Sequence, residues 1–310
     1  MAIINSGSFA KALWPGVNAW YGKAYDEYKT EWTELFEQFK DTRAFVEDVG
    51  ISSFGLAPVK AEASPISFDT ERQGFVTRYQ HLTYGLGFII TREMMEDDQY
   101  DIVGQRKAQG LAFSIRQTKE VVAANVYNRA FNPAYLGGDG ATLIASAGAT
   151  GASASHPTIA GGTFTNGPST ALDLSEAALE QAVIDIAGLT NDRGLLIAVR
   201  PRKLIVPRQL MFEAHRILRS DGRVGTDNND DNAIKSMGLI PEVVVNHYLT
   251  DTNGWFILTD VKHGMKYFER RADDFNMDND WETENAKYKA TFRASWGWTD
   301  PRGIYGSPGA

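Results

Sequence analysis

The residues able to do chemistry are few and dispersed. Five histidines, His81, His156, His215, His247 and His263, are scattered along the chain. No two have the short helical spacing of a metal-ligating HExxH pair, and there is no Gly-x-Ser-x-Gly nucleophile elbow. Cysteine is absent. That removes disulfides, thiolate catalysis and Cys–zinc sites, and it fits folding in a reducing cytoplasm. Two oxygen-rich runs invite a calcium reading. An EF-hand loop needs Gly at its sixth position and Glu at its twelfth. Counting from Asp227, through Asn228, Asn229, Asp230 and Asp231, those positions hold Asn232 and Gly238. Counting from Asp274, through Asn276 and Asp278, they hold Asn279 and Asn285. Both runs are expected to be solvated turns. The Gly137-Gly138-Asp139-Gly140 cluster lacks the Lys-Ser/Thr ending of a phosphate-binding P-loop. It is read instead as part of a long Gly/Ala/Ser/Thr-rich surface loop over 136–167, of a length that tends to be functional or mobile. The basic row Lys287, Lys289 and Arg293 has the chemistry for phosphate, but such rows more often face solvent or pair with acids on the next strand. The sequence therefore offers no catalytic, cofactor-binding or metal-binding residues.

What the chain does contain is organisation. At 310 residues it has room for one large domain or two modest ones. A formal net charge of −8 argues against a protein that grips nucleic acid, which needs a basic footprint, but not against one that encloses it. No run of eighteen apolar residues marks a membrane span. Met1 to Ala10 lacks the basic and apolar segments of a secretory signal.

Residues 1–15 are expected to be an extended arm. Tyr21, Tyr25, Tyr28, Trp32, Leu35 and Phe39 follow at helical spacing, which predicts an amphipathic helix. It is read first as packing on its own domain, with docking on a neighbouring subunit as the alternative. The β-branched and aromatic run from Phe75 to Ile90 predicts a long strand, paired across a polar turn (69–74) with Val59 to Phe68. Pro65 makes that partner an edge strand. From about Asp98 to Phe131, Ala108, Leu111, Ala112, Ile115, Thr118, Val122 and Val126 fall at helical spacing. Asp173, with Glu176 three residues on, is read as a helix cap, and Leu179, Val183 and Ile186 as the buried stripe. Strands are expected at Leu195–Val199, Leu204–Val206, Val243–Leu249 and Trp255–Thr259. A helix opens at Pro207, with Leu210, Met211, Ala214, Ile217 and Leu218 on one face. Together, 190–265 read as an inserted α/β subdomain. Finally, Ala286, Tyr288, Ala290, Phe292, Ala294, Trp296 and Trp298 alternate with polar residues in strict period two, the clearest strand in the chain.

A projecting hairpin needs a surface to cover its open edges. With that, the order of elements resembles the major capsid proteins of tailed bacteriophages, the Hong Kong 97 fold. The resemblance covers nearly the whole chain. It rests on that order and on three stretches: Pro201-Arg202-Lys203-Leu204-Ile205-Val206-Pro207, Trp255-Phe256-Ile257-Leu258-Thr259-Asp260, and Trp296-Gly297-Trp298-Thr299-Asp300-Pro301-Arg302-Gly303. It implies an α+β fold with residues 1–50 as an N-arm across a neighbour and 56–95 as an E-loop over the adjacent subunit. Residues 96–189 and 266–310 would form the P-domain, with a spine helix at about 98–131, and 190–265 the A-domain. It also implies a non-enzymatic, cofactor-free shell subunit assembling as pentamers and hexamers around double-stranded DNA, without sequence-specific binding or a membrane. Assembly would take place in the bacterial cytoplasm, with a portal and a separate scaffold. Lys60, the only lysine in 56–95, is the one candidate donor for the rare Lys–Asn cross-links of that family, which are not expected here. A tail or decoration protein is the alternative virion role, and an oligomeric α/β enzyme the alternative outside the virion. Deleting Val59 to Arg92 is expected to leave a folded monomer.

Overall fold

The period-two strand is the centre of the molecule. In the computed structural model, which describes residues 18–25, 29–96, 100–222, 231–280 and 285–310, this strand runs from Ala286 to Trp298 and is labelled β11. It pairs antiparallel on one side with β10 (Met265–Asn279) and on the other with β4 (Leu82–Ile90). A short β1 (Glu37–Lys40) adds in parallel to the far side of β10, giving the order β1-β10-β11-β4. Ala286, Tyr288, Ala290, Phe292 and Ala294 are all buried, as alternation requires. Their alternating small and aromatic side chains help receive α3 (Tyr100–Asn128), a helix about 43 Å long at ~1.5 Å per residue. Ala108, Ala112, Ala123 and Ala124 are fully buried on α3, with Leu111, Ile115 and Tyr127 beside them. Thr118 and Val122, expected in the stripe, are only half-buried, while Lys119 and Glu120 lie deeper. Each of these charges is partnered. The Lys119 ammonium donates to Asp273 (2.7 Å) and to the Tyr25 hydroxyl (3.0 Å). The Glu120 carboxylate accepts the backbone N–H groups of Glu31 (2.8 Å) and Trp32 (2.9 Å). Burial raises its pKa, against the pull of those two donors.

A second sheet has the order β12-β9-β7-β8: β12 (Ile304–Ser307), β9 (Trp255–Thr259), β7 (Pro201–Pro207) and β8 (Glu242–Asn246). One of its faces, with Ile205, Val244, Phe256 and Ile304, joins the core under α3. The other, with Leu204, Val206, Trp255, Ile257 and Tyr305, packs with α4 (Glu176–Ala187) and α5 (Met211–Arg219). Burial on both faces explains why these strands read as continuous apolar runs.

Several expectations are corrected. The aromatic seam is not one helix: α1 spans residues 18–25, a 3-10 turn covers Trp32–Glu34, and Glu37–Lys40 is strand. Two tertiary contacts override the local spacing, the Glu120 bonds to the turn and the pairing with β10. Tyr21, Ala24, Trp32, Leu35 and Phe36 lie in the chain's own core, as the first reading of the aromatic seam expected. Val59–Phe68 is not a strand. The partner of β3 (Gln73–Gln80) is β2 (Phe45–Ile51), which precedes it. The run 75–90 is two strands that part at His81, and the second belongs to the central sheet. Deleting 59–92 would therefore remove β4, including Ile90 at 1% exposure. Leu195–Val199 forms only one isolated bridge, between Leu196 and Thr190. The cap of α4 is Ser175, which accepts from the Ala178 N–H, and not Asp173. The strand expected at Val243–Leu249 ends at Asn246, as β8, and β7 lies between it and β9. The 190–265 segment shares its sheet with β12 and its core with α4, both from outside that span. The 136–167 segment is only in part a surface loop: Ala141 to Ser146 are buried and β5 (His156–Pro157) pairs with β6 (Thr163–Phe164), while residues 160–163 are exposed.

Candidate interaction surface

The base of the β2–β3 hairpin is seated on the body. Asp48 Oδ2 accepts from the Lys266 ammonium and from the Thr299 hydroxyl (2.7 Å), and the Tyr79 hydroxyl shares a 2.7 Å bond with Thr299 Oγ1. Burial pushes Asp48 up, but Lys266 and Thr299 outweigh it and hold the carboxyl below the usual carboxylate range. Gly138 lies against the hairpin backbone. A Cβ there would come within 2.6 Å of the Val76 carbonyl oxygen, so the Gly137–Gly140 cluster seats a strand and does not cradle a phosphate.

Beyond this base the chain runs out into solvent. Residues 53–70 are all exposed and contain no strand. They carry Leu56 (80% exposed), Val59 (101%), Ile66 (67%) and Phe68 (94%). With Phe54 (55%) these make five large apolar side chains on one loop, a surface with no partner among the described residues. Such a surface marks an interaction site. The sequence reading placed Val59, Ile66 and Phe68 in a strand because their types suit one.

The other candidate residues resolve into structural roles. His81 is buried where β3 gives way to β4. Its Nδ1 lies 3.0 Å from Ser295 Oγ, and its Nε2 is 3.8 Å from Asp41 Oδ2. His156 is also buried. Its Nδ1 meets Asp139 Oδ2 at 2.7 Å, and its Nε2 faces Asn166 Oδ1 at 3.2 Å. His247 pairs with Glu31 at 2.6 Å, joining the N-terminal turn to the end of β8. His263 holds a left-handed backbone (φ 65°) between β9 and β10, and His215 is exposed on α5. Asp274, Asn276 and Asp278 lie along β10, not in a loop, while Asp227–Asp230 fall outside the described residues. Among the described residues no group of three or more acids and histidines could hold a metal, and no helix is long and apolar enough to cross a membrane. Within the basic row, Lys287 pairs with Asp280 (2.6 Å) and Arg293 donates to the His81 carbonyl (3.3 Å).

One residue that the sequence reading did not single out holds the fold's longest connection together. Asn166 is fully buried. Its Oδ1 accepts the Ala145 N–H (2.8 Å), and its Nδ2 donates to the carbonyls of Leu143 (2.9 Å), Pro301 (2.9 Å) and Ile304 (3.1 Å). It therefore ties the irregular 136–167 segment to the C-terminal strand.

His81 makes the hairpin junction sensitive to pH. Burial holds its imidazole below the ordinary histidine pKa. Asp41 opposes that shift, while Arg293 and Arg270 add to it. A depressed histidine pKa means the unfolded chain binds the proton more readily. The stability it contributes is present above the ordinary histidine range and is lost as pH falls through the folded-state value. Melting temperature is expected to fall between neutral pH and about pH 5, with a shallower slope in His81→Gln. Melting curves across that range check this; parallel slopes would contradict it.

A family model described as phage capsid protein matches residues 74–307. No curated protein sequence matches. Among solved structures, the chain is similar to the virus-like particle protein from Pyrococcus furiosus at 9% identity and a TM-score of 0.53, covering 94% of this chain and 98% of that one. It is also similar to the capsid of Ralstonia phage GP4 at 8% identity and a TM-score of 0.54, covering 86% and 83%. The procapsid of bacteriophage JBD30 follows at 11% identity and 0.51, covering 97% and 75%. At these identities the likeness speaks for the fold, and the family match carries the assignment. The chain, built on a long helix under a four-stranded sheet and extending an exposed apolar loop, belongs to the phage capsid protein family and has the Hong Kong 97 fold of phage major capsid proteins.

Proposed function

We propose that this chain is the major subunit of a phage head and closes its shell by laying the apolar loop 53–70 on a second copy. The observation that carries the reading is the exposure of Leu56, Val59, Ile66 and Phe68 on a loop whose base is fixed by half-buried bonds. In this reading residues 45–80 act as the E-loop, α3 as the spine of the P-domain, and 190–265 with β12 as the A-domain around the symmetry axes. Pentamers and hexamers form from the one chain, aided by a separate scaffold and a portal in the bacterial cytoplasm. The net charge of −8 suits a wall that encloses double-stranded DNA without gripping it.

The test is cross-linking of particles assembled from mixed light and heavy isotope-labelled chains. Lys60, exposed near the loop tip, is expected to give light–heavy cross-links to another copy. Cross-links confined to a single chain would overturn the role given to the loop.

A further inference from the structure

The loop 53–70 leaves and re-enters the body through a neck closed by side chains. Asp69 Oδ2 accepts the Gly55 N–H (2.8 Å) across the neck, while its Oδ1 accepts the Thr70 N–H (2.8 Å). A third group comes from elsewhere in the fold. Arg193 lies in the turn between α4 and β7. Its Nη2 donates to the Thr70 carbonyl (2.7 Å) and to Asp69 Oδ1 (3.2 Å), and its Nε donates to the Ser53 carbonyl (3.2 Å). One guanidinium thus holds both arms of the neck, a task suited to a planar fork of donors and not to an ammonium.

The turn that presents Arg193 is itself held. Asn191 Oδ1 accepts the N–H groups of Arg193 and Leu195, both at 2.9 Å. Buried Arg302 donates to the Thr190 carbonyl (2.8 Å) and to Asp192 Oδ1 (3.0 Å), with its guanidinium 4.2 Å from the centre of the Phe164 ring. A continuous set of bonds therefore runs from the C-terminal segment, through the 190–193 turn, to the neck.

We infer that Arg193 is a positioning residue that sets the direction of the apolar loop 56–68 in the unassembled chain, so that docking on a second copy does not have to order the neck. Ordering flexible segments on binding costs affinity and slows productive encounter. The docking partner rests on the capsid reading; the clamp itself belongs to the single chain.

The test uses full-length wild type, Arg193→Ala and Arg193→Lys. Hydrogen exchange on the unassembled chains is expected to show the amides of Gly55 and Thr70 exchanging roughly three- to tenfold faster in Arg193→Ala, with Arg193→Lys between. The melting temperature should stay within about 2 °C of wild type, since Arg193 lies outside the buried cores. Assembly followed by light scattering should slow by a similar factor, while higher protein concentration restores closed particles. Unchanged exchange would overturn the clamp. Faster exchange with an unchanged assembly rate would overturn its positioning role. If wild type forms no particles under any condition, the capsid reading and the docking partner fall, while the exchange comparison still decides the clamp.

Discussion

Replacing residues 56–68 with a short Gly-Ser turn is expected to leave a folded, soluble chain that no longer builds shells. None of these residues is buried, and the replacement keeps the Asp69–Gly55 contact and the β2–β3 pairing. Shortening the loop lowers its closure entropy, so stability should change by no more than about 1 kcal/mol. Assembly loses far more. Leu56, Val59, Ile66 and Phe68 each offer roughly 1.5–3 kcal/mol if fully buried in a contact. That loss repeats at every equivalent contact in a shell, where weak contacts act together. Circular dichroism and size-exclusion chromatography would report the retained fold, and electron microscopy the missing particles. Shells of normal form from this variant would remove the loop from the account.

The second large effect is expected inside the molecule. Asn166→Ala should destabilise the chain by roughly 3–5 kcal/mol, because several buried groups lose their partner at once and each costs about 1–3 kcal/mol. The Ala145 N–H and the carbonyls of Leu143, Pro301 and Ile304 all depend on this one amide. Asn166→Asp keeps the shape but turns a carboxylate oxygen toward three carbonyl oxygens, and should be at least as damaging. Melting should drop by about 6 °C or more in both variants, on the scale of ~2–4 °C per kcal/mol for a chain of this size class. A shift of about 1 °C would show that the neighbouring groups find other partners.

These two sites also mark where sequence reasoning stopped. Strong periods were legible. The alternation through β11, the long α3 and the apolar β9 stand where the pattern placed them, because each repeats one local rule over many residues. Partnerships between distant segments were not legible. Val59, Ile66 and Phe68 have the residue types of a strand, yet β3 pairs with β2, and nothing local distinguishes the two outcomes. The spacing of Tyr21 to Phe39 fits a helix, yet a carboxylate nearly ninety residues away, on Glu120, accepts from its backbone at Trp32, and β10 claims its end as a strand. Asn166 gave no signal, since a buried amide in a Gly/Thr-rich stretch has no period. A faint cue was available: a segment as long as 136–167 needs buried side-chain partners for its backbone if it is not to lie on the surface. The Gly137–Gly140 cluster was read as part of a surface loop, and its seating of a strand was missed, as close approach to a ligand and close approach to a strand both require glycine.

The most direct measurement is electron microscopy of the full-length chain purified from bacteria, alone and with a co-expressed scaffold. Closed icosahedral particles built from this chain are expected. Open tubes, isolated rings, or a chain that stays monomeric under every assembly condition would contradict it.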